Sequence, residues 1–105
     1  MSAMDNALRR RLRGLLLVLI YENHEQQRHR LDDLTLWGAL DRLHFDIARN
    51  EIRTLLQDLA ERDCIAFTED RNLETGHTAL RQIMLRPHGR DLVEKTVADA
   101  AIWME

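Results

Sequence analysis

The stretch "DDLTLWGALDRLHFDIARNEIRTLLQDLAERDCI" (Asp32–Ile65) decides the fold. Leu36, Leu40 and Leu43 recur at spacings of four and three, which is one face of a short helix with Trp37 beside it. Asp32 or Asp33 can accept from the free N–H groups at that helix's start. "HFD" (His44–Asp46) has room only for a turn. Ile52, Leu55, Leu56 and Leu59 then form a second apolar stripe, with Arg49, Asn50, Arg53, Thr54 and Gln57 opposite. Two short amphipathic helices joined by a tight turn are the pattern of a helix-turn-helix over residues 32–63.

Working outward, residues 1–23 hold a first helix from about Asp5 to Asn23. Leu8, Leu12, Leu15, Leu16 and Leu19 line one face, and Leu17, Val18 and Ile20 widen it until the helix must be buried on several sides. "HEQQRHR" (His24–Arg30) reads as a polar connector. Beyond the helix-turn-helix the period changes. "CIAFTED" puts Ile65 and Phe67 on one face, "RNLETGHT" has turn chemistry with Gly76 available for a positive φ, and "ALRQIML" puts Arg81, Ile83 and Leu85 on one side. Residues 64–86 are thus expected to form a β-hairpin. Pro87 can open a last helix over 87–105, with a stripe of Val93, Val97, Ala100, Ala101 and Met104 and with Leu92 and Trp103 at its edges. The expected architecture is mainly α with a small hairpin, an α+β winged helix-turn-helix with an additional C-terminal helix, in a single domain over 1–105.

The bulk numbers agree with one core. The chain has 105 residues, 45% hydrophobic and 31% charged, with one proline and four glycines. The longest apolar run, "GLLLVLIY" (Gly14–Tyr21), is much shorter than the roughly 20 residues of a bilayer span, and no small-residue cleavage site follows it. A cytoplasmic location without membrane contact is expected. Cys64 alone excludes an internal disulfide and reads as a buried, inert thiol. The net charge of −3 argues against a nucleic-acid binder until its distribution is considered. Residues 1–30 hold six arginines against Asp5, Glu22 and Glu25, whereas residues 31–47 and 91–105 are acidic.

The segment "DDLTLWGALDRLHFDIARNEIRTLLQDLAERDCIAFTED" (Asp32–Asp70) resembles a family of small winged-helix proteins encoded by Mu-like phages and prophages. The resemblance runs through Leu36, Ala39, Leu40, Leu43, Arg49, Arg53, Leu56, Leu59 and Ala60, about the central third to half of the chain. "LRPHGRDLVEK" (Leu85–Lys95) also looks like the ending of many winged-helix domains, where a strand delivers a leucine and a glycine-containing turn opens a helix. The resemblance implies a winged helix and a phage or prophage context, with the host cytoplasm as location; it carries no settled biochemical role. Two departures weaken a DNA reading: Ala48 stands where a serine or threonine would cap the third helix, and "AAIWME" stands where relatives often have a basic tail.

The outer face of the third helix is the leading candidate site. Arginine pairs with guanine and asparagine with adenine through two hydrogen bonds each, and Arg49 and Asn50 occupy the first turn that enters a major groove. Arg53, Thr54 and Gln57 continue the face, against Glu51, Asp58 and Glu61 on the same helix. Arg71 and His77 at the hairpin tip and the run Arg9, Arg10, Arg11 and Arg13 are candidate phosphate contacts. Around that tip Asn72, Thr75 and Thr78 are offset by Glu69, Asp70 and Glu74. The arginine run also sits against the positive end of the first helix's dipole. The five histidines show no metal-ligand spacing, so no cofactor is expected, and a metal-dependent sensor is a minor reading. No phosphate loop, nucleophile elbow or paired carboxylates point to an enzyme. The expected dimer surface is Leu92, Val93, Val97, Ala100, Ala101, Trp103 and Met104. The resulting expectation is a non-enzymatic, homodimeric binder of double-stranded DNA, a phage or prophage transcriptional regulator or DNA-handling accessory. The alternative is a protein-interaction winged helix using Trp37, Trp103 and the C-terminal stripe without touching DNA.

Overall fold

A computed structural model describes residues 5–25 and 31–104, so most of the expected polar connector lies outside the described residues. The fold is mixed α+β, with helices α1 (Asn6–Glu25), α2 (Asp33–Arg42), α3 (Arg49–Glu61) and α4 (Pro87–Val93) and strands β1 (Ile65–Arg71) and β2 (Thr78–Leu85). The two strands form one antiparallel hairpin between α3 and α4.

Helix α1 is the central element and packs against α3, α4 and β2. Its buried stripe is Leu12, Leu16, Leu17 and Ile20, spaced for one helical face. Asp5 caps it: the Asp5 carboxylate accepts from the Leu8 N–H at 2.7 Å. That negative group at the positive end of the dipole offsets the arginines that follow. Helix α2 is capped by Asp32, whose Oδ1 accepts from the Thr35 N–H at 2.8 Å and hydroxyl at 2.7 Å. Asp33 is buried instead, and its Oδ1 accepts from the Leu80 N–H of β2 at 3.3 Å. The Trp37 indole donates to the Ile47 carbonyl at 2.7 Å and fixes the link between α2 and α3.

Helices α2, α3 and α4 all end in the same way without glycine. His44, Asp63 and Lys95 take left-handed φ values of 67°, 60° and 62°. Behind them the Phe45, Cys64 and Thr96 N–H groups reach back to Leu40, Leu59 and Asp91. These are Schellman endings, in which two backward bonds satisfy the last free carbonyls. The third of them corrects the expected C-terminal helix over 87–105: α4 stops at Val93, and the Lys95 backbone turns the chain out of helical geometry. Residues 96–104 return across α1 as an irregular tail. In it the Trp103 N–H donates to the Arg10 carbonyl at 3.0 Å, and Ile102 is buried. The helical spacing of Val93, Val97, Ala100, Ala101 and Met104 is therefore not a helical stripe. Leu92 and Ala101 serve the chain's own packing, while Val97, Ala100 and Trp103 are exposed. Gly89 also differs from its expected place in a turn. It lies within α4, where a Cβ would overlap the Cys64 carbonyl oxygen.

The hairpin carries one irregularity. The pairing Ala66–Met84 is followed by Thr68–Arg81, so β2 holds an extra residue, and Gln82 absorbs it with a φ of 54°. The bulge breaks the alternation expected of "ALRQIML": Leu80 and Ile83, three apart, both face the core, and Arg81 points outward. Gly76 has the positive φ expected of it, 74°. The Ile83 N–H donates to the Leu31 carbonyl at 3.0 Å, which joins the start of α2 to the sheet.

Cys64 is buried where α3 meets β1. Its thiol pKa is raised from 9.0 to about 11, by burial first and then by the Asp99 carboxylate. The folded state therefore holds this proton more tightly than the unfolded chain, and the associated stability is lost as pH rises from about 9 through about 11. Native protein at neutral pH should resist iodoacetamide and react fully only in denaturant; fast native labelling contradicts this burial.

Gly14 lies mid-helix in α1, where a Cβ would overlap the Trp103 carbonyl oxygen, whereas Gly38 in α2 has nothing within 4 Å. Gly14→Ala should cost about 1–3 kcal/mol by forcing the tail off α1, and Gly38→Ala should gain roughly 0.5–1 kcal/mol. Urea unfolding checks both signs, and hydrogen exchange at the Trp103 amide should report tail release in Gly14→Ala alone.

Candidate nucleic-acid interface

The apolar stripe of α3 (Ile52, Leu55, Leu56 and Leu59) is buried, so its other side is held outward. Arg49, Asn50, Thr54 and Gln57 are exposed there, one and two turns apart. The side chains of Arg49, Asn50 and Gln57 have no hydrogen-bond or ion-pair partner among the described residues. Thr54 donates back to the Asn50 carbonyl at 2.9 Å. Arg53 behaves differently: it is half-buried, and its Nη1 donates to the Thr78 carbonyl at 2.6 Å. It fixes α3 to the first residue of β2 and does not stand in the outward row.

Two clefts flank the row. The first, about 380 Å³, lies between Arg49 and the hairpin tip, with Asn72, Thr75 and His77 on its far wall. The tip is internally bonded. Asn72 Oδ1 accepts from the Glu74 N–H at 2.9 Å and the Thr75 N–H at 3.3 Å, and the Asn72 carbonyl accepts from the Gly76 N–H at 2.8 Å. Arg81 also reaches this cleft and pairs with Asp70 at 3.4 Å, which offsets one of the tip's acids. Its role was hidden in the sequence because the Gln82 bulge reverses its expected side. Arg71 and His77 are both exposed.

The second cleft, about 310 Å³, lies between α1 and α3 and places Arg9 beside Asn50 and Thr54. The four N-terminal arginines separate here, because one residue advances about 100° around a helix. Of the four, only Arg9 is both exposed and beside Asn50 and Thr54. Arg10 lies toward Trp103, and the Arg11 guanidinium stacks 5.4 Å from the centre of the Phe45 ring. Arg13 departs furthest from its expected phosphate role. Its side chain is 16% exposed, its Nε lies 2.6 Å from Asp58 Oδ2, and its Nη1 donates to the Ala101 carbonyl at 3.0 Å. Asp58 also accepts from Arg62 Nε at 3.1 Å.

These contacts change the electrostatics of α3. Asp58 is compensated internally by two arginines. Glu51 Oε1 accepts from the Ala48 N–H at 3.4 Å, which is half of a capping box; Ala48 has no side chain for the other half. Glu61 remains exposed at the far end of the helix. Its N-terminal half therefore carries more uncompensated positive charge than its composition suggests.

Among the described residues no three His, Cys, Asp or Glu side chains are placed to hold a metal ion, and no helix is long and apolar enough to cross a membrane. Compared with protein families, curated proteins and solved structures, the chain matches none of them.

The two kinds of arginine can be told apart by stability. Arg13→Ala should lower it by about 1.5–3 kcal/mol, the range for hydrogen bonds to charged groups, while Arg9→Ala should stay within roughly 0.5 kcal/mol of wild type. Equal effects in urea titrations contradict the division.

Proposed function

We propose that this chain is a winged-helix protein that binds double-stranded DNA, with α3 as the recognition helix and the β1–β2 hairpin as the wing. The carrying observation is the row Arg49, Asn50, Thr54 and Gln57, exposed and flanked by clefts on both sides. The element order of three helices, a hairpin and a short helix supports the same reading. A major groove about 12 Å wide admits a helix. Arg49 and Asn50 reach base edges from the first turn of α3, and Gln57 extends the contact two turns on. Arg9 on one flank and Arg71 and His77 on the other meet phosphates and set the register. Arg53 acts as a positioning residue that keeps the wing at a fixed distance from α3. The resemblance to small winged-helix proteins of Mu-like phages makes a phage or prophage regulator, or a DNA-handling accessory, the fitting cellular role.

A protein-interaction module is the second reading. It is favoured by Leu43 and Trp103, 51% and 47% exposed, which a monomeric DNA reader does not need.

Selection of bound duplexes from a random pool tests the proposal. Binding should weaken steeply with salt. Arg49→Ala and Asn50→Ala should each cost about 1–3 kcal/mol on the selected site, and Arg9→Ala should weaken all duplexes alike. No mobility shift on any duplex at low salt overturns DNA binding, and selected-site affinity unchanged in the Arg49→Ala, Asn50→Ala double variant overturns base reading by α3.

A further inference from the structure

A groove of about 470 Å³ runs between α1 and the tail and ends at the turn between α2 and α3. Leu15 and Val18 of α1 form its floor, Phe45 and Trp103 stand on either side, and Leu43 rises at its rim. Leu43 is the C-cap of α2 and Trp103 lies in the tail; both stay about half exposed, while Leu15 and Val18 beside them are partly buried. An apolar ridge and an apolar groove therefore lie side by side on one surface. A two-fold interface has this requirement, because each protomer must offer both halves of the same contact.

The charges around the groove have the matching arrangement. Arg11 lines its α1 side, and Arg10 lies in the adjoining cleft beside Trp103; both are exposed. Asp41 and Arg42 end α2 and Asp46 lies in the turn that follows, all exposed. The side chain of neither aspartate has a hydrogen-bond or ion-pair partner among the described residues. Opposite charges at two places on one surface are the complementarity that fixes orientation in a two-fold contact.

We propose that a second copy of this chain occupies the groove, with Leu43 of each protomer seated beside the partner's Trp103 and Arg11 facing the partner's Asp46. This differs from a dimer through a C-terminal helix: the surface is built from α1, the α2–α3 turn and the tail. It does not depend on DNA binding.

Sedimentation velocity on the full chain from low to high micromolar concentration tests it. Wild type should shift from monomer to dimer. Leu43→Glu should raise the dimer dissociation constant at least about 100-fold, since it buries an unpaired carboxylate. Arg11→Glu and Asp46→Arg should each raise it about tenfold, and the two together should restore it. Circular dichroism on each variant checks that the fold persists. A monomer at every concentration, which leaves the groove to a different partner, overturns the proposal. So does a dimer indifferent to Leu43→Glu or a charge swap without rescue.

Discussion

The Arg13 guanidinium holds three parts of the molecule together. Its chain rises from α1, its Nε meets Asp58 on α3, and its Nη1 meets the Ala101 carbonyl of the tail. One planar cation thereby sets the spacing of α1 and α3 and the path of residues 96–104. The cleft that brings Arg9 beside Asn50 and Thr54 has this ion pair at its floor. Such a pair is useful for position more than for net stability, since partial desolvation offsets much of its Coulomb attraction. Gly14, one residue on, lets the tail approach the same helix from above. The geometry of the α3 face is thus set from behind, by residues that never reach it.

Elements held by apolar periodicity were legible in the sequence. Ile52, Leu55, Leu56 and Leu59, or Leu12 and Leu16, announce a buried helical face because burial and spacing obey one rule. What escaped were choices made by single backbone residues. Lys95 ends α4 in a conformation that sequence rules reserve for glycine, so the apolar spacing beyond it imitated a longer helix. Gln82 does the same inside β2 and turns Arg81 from core side to solvent. Long-range polar partners were hidden too. Arg13 looked like one of four equivalent surface arginines until the fold brought Asp58 to it across 45 residues of chain.

The charge of the candidate face illustrates the limits of counting. Helix α3 contains three acids against two bases, yet Asp58 faces inward between two arginines and Glu51 folds back onto its own helix start. The molecule can be acidic in total and still carry a locally basic surface, because neutralisation is local while net charge is a sum. The hairpin tip tempers this: Glu69 and Glu74 remain exposed there, so the hairpin contributes shape more than charge.

Strand β2 is anchored twice near its start. The Asp33 carboxylate takes the Leu80 N–H, and Arg53 takes the Thr78 carbonyl, so α2 and α3 each hold the hairpin by a charged group. A hairpin otherwise hinges at its base. Here the loss of that freedom is suffered during folding, and little remains to be lost when a ligand arrives. A surface ordered in advance binds with a smaller entropic penalty and changes shape little on contact. The same two anchors narrow the range of ligand shapes that the α3–hairpin cleft can accommodate, so selectivity there rests on rigidity as well as on the side chains that line it.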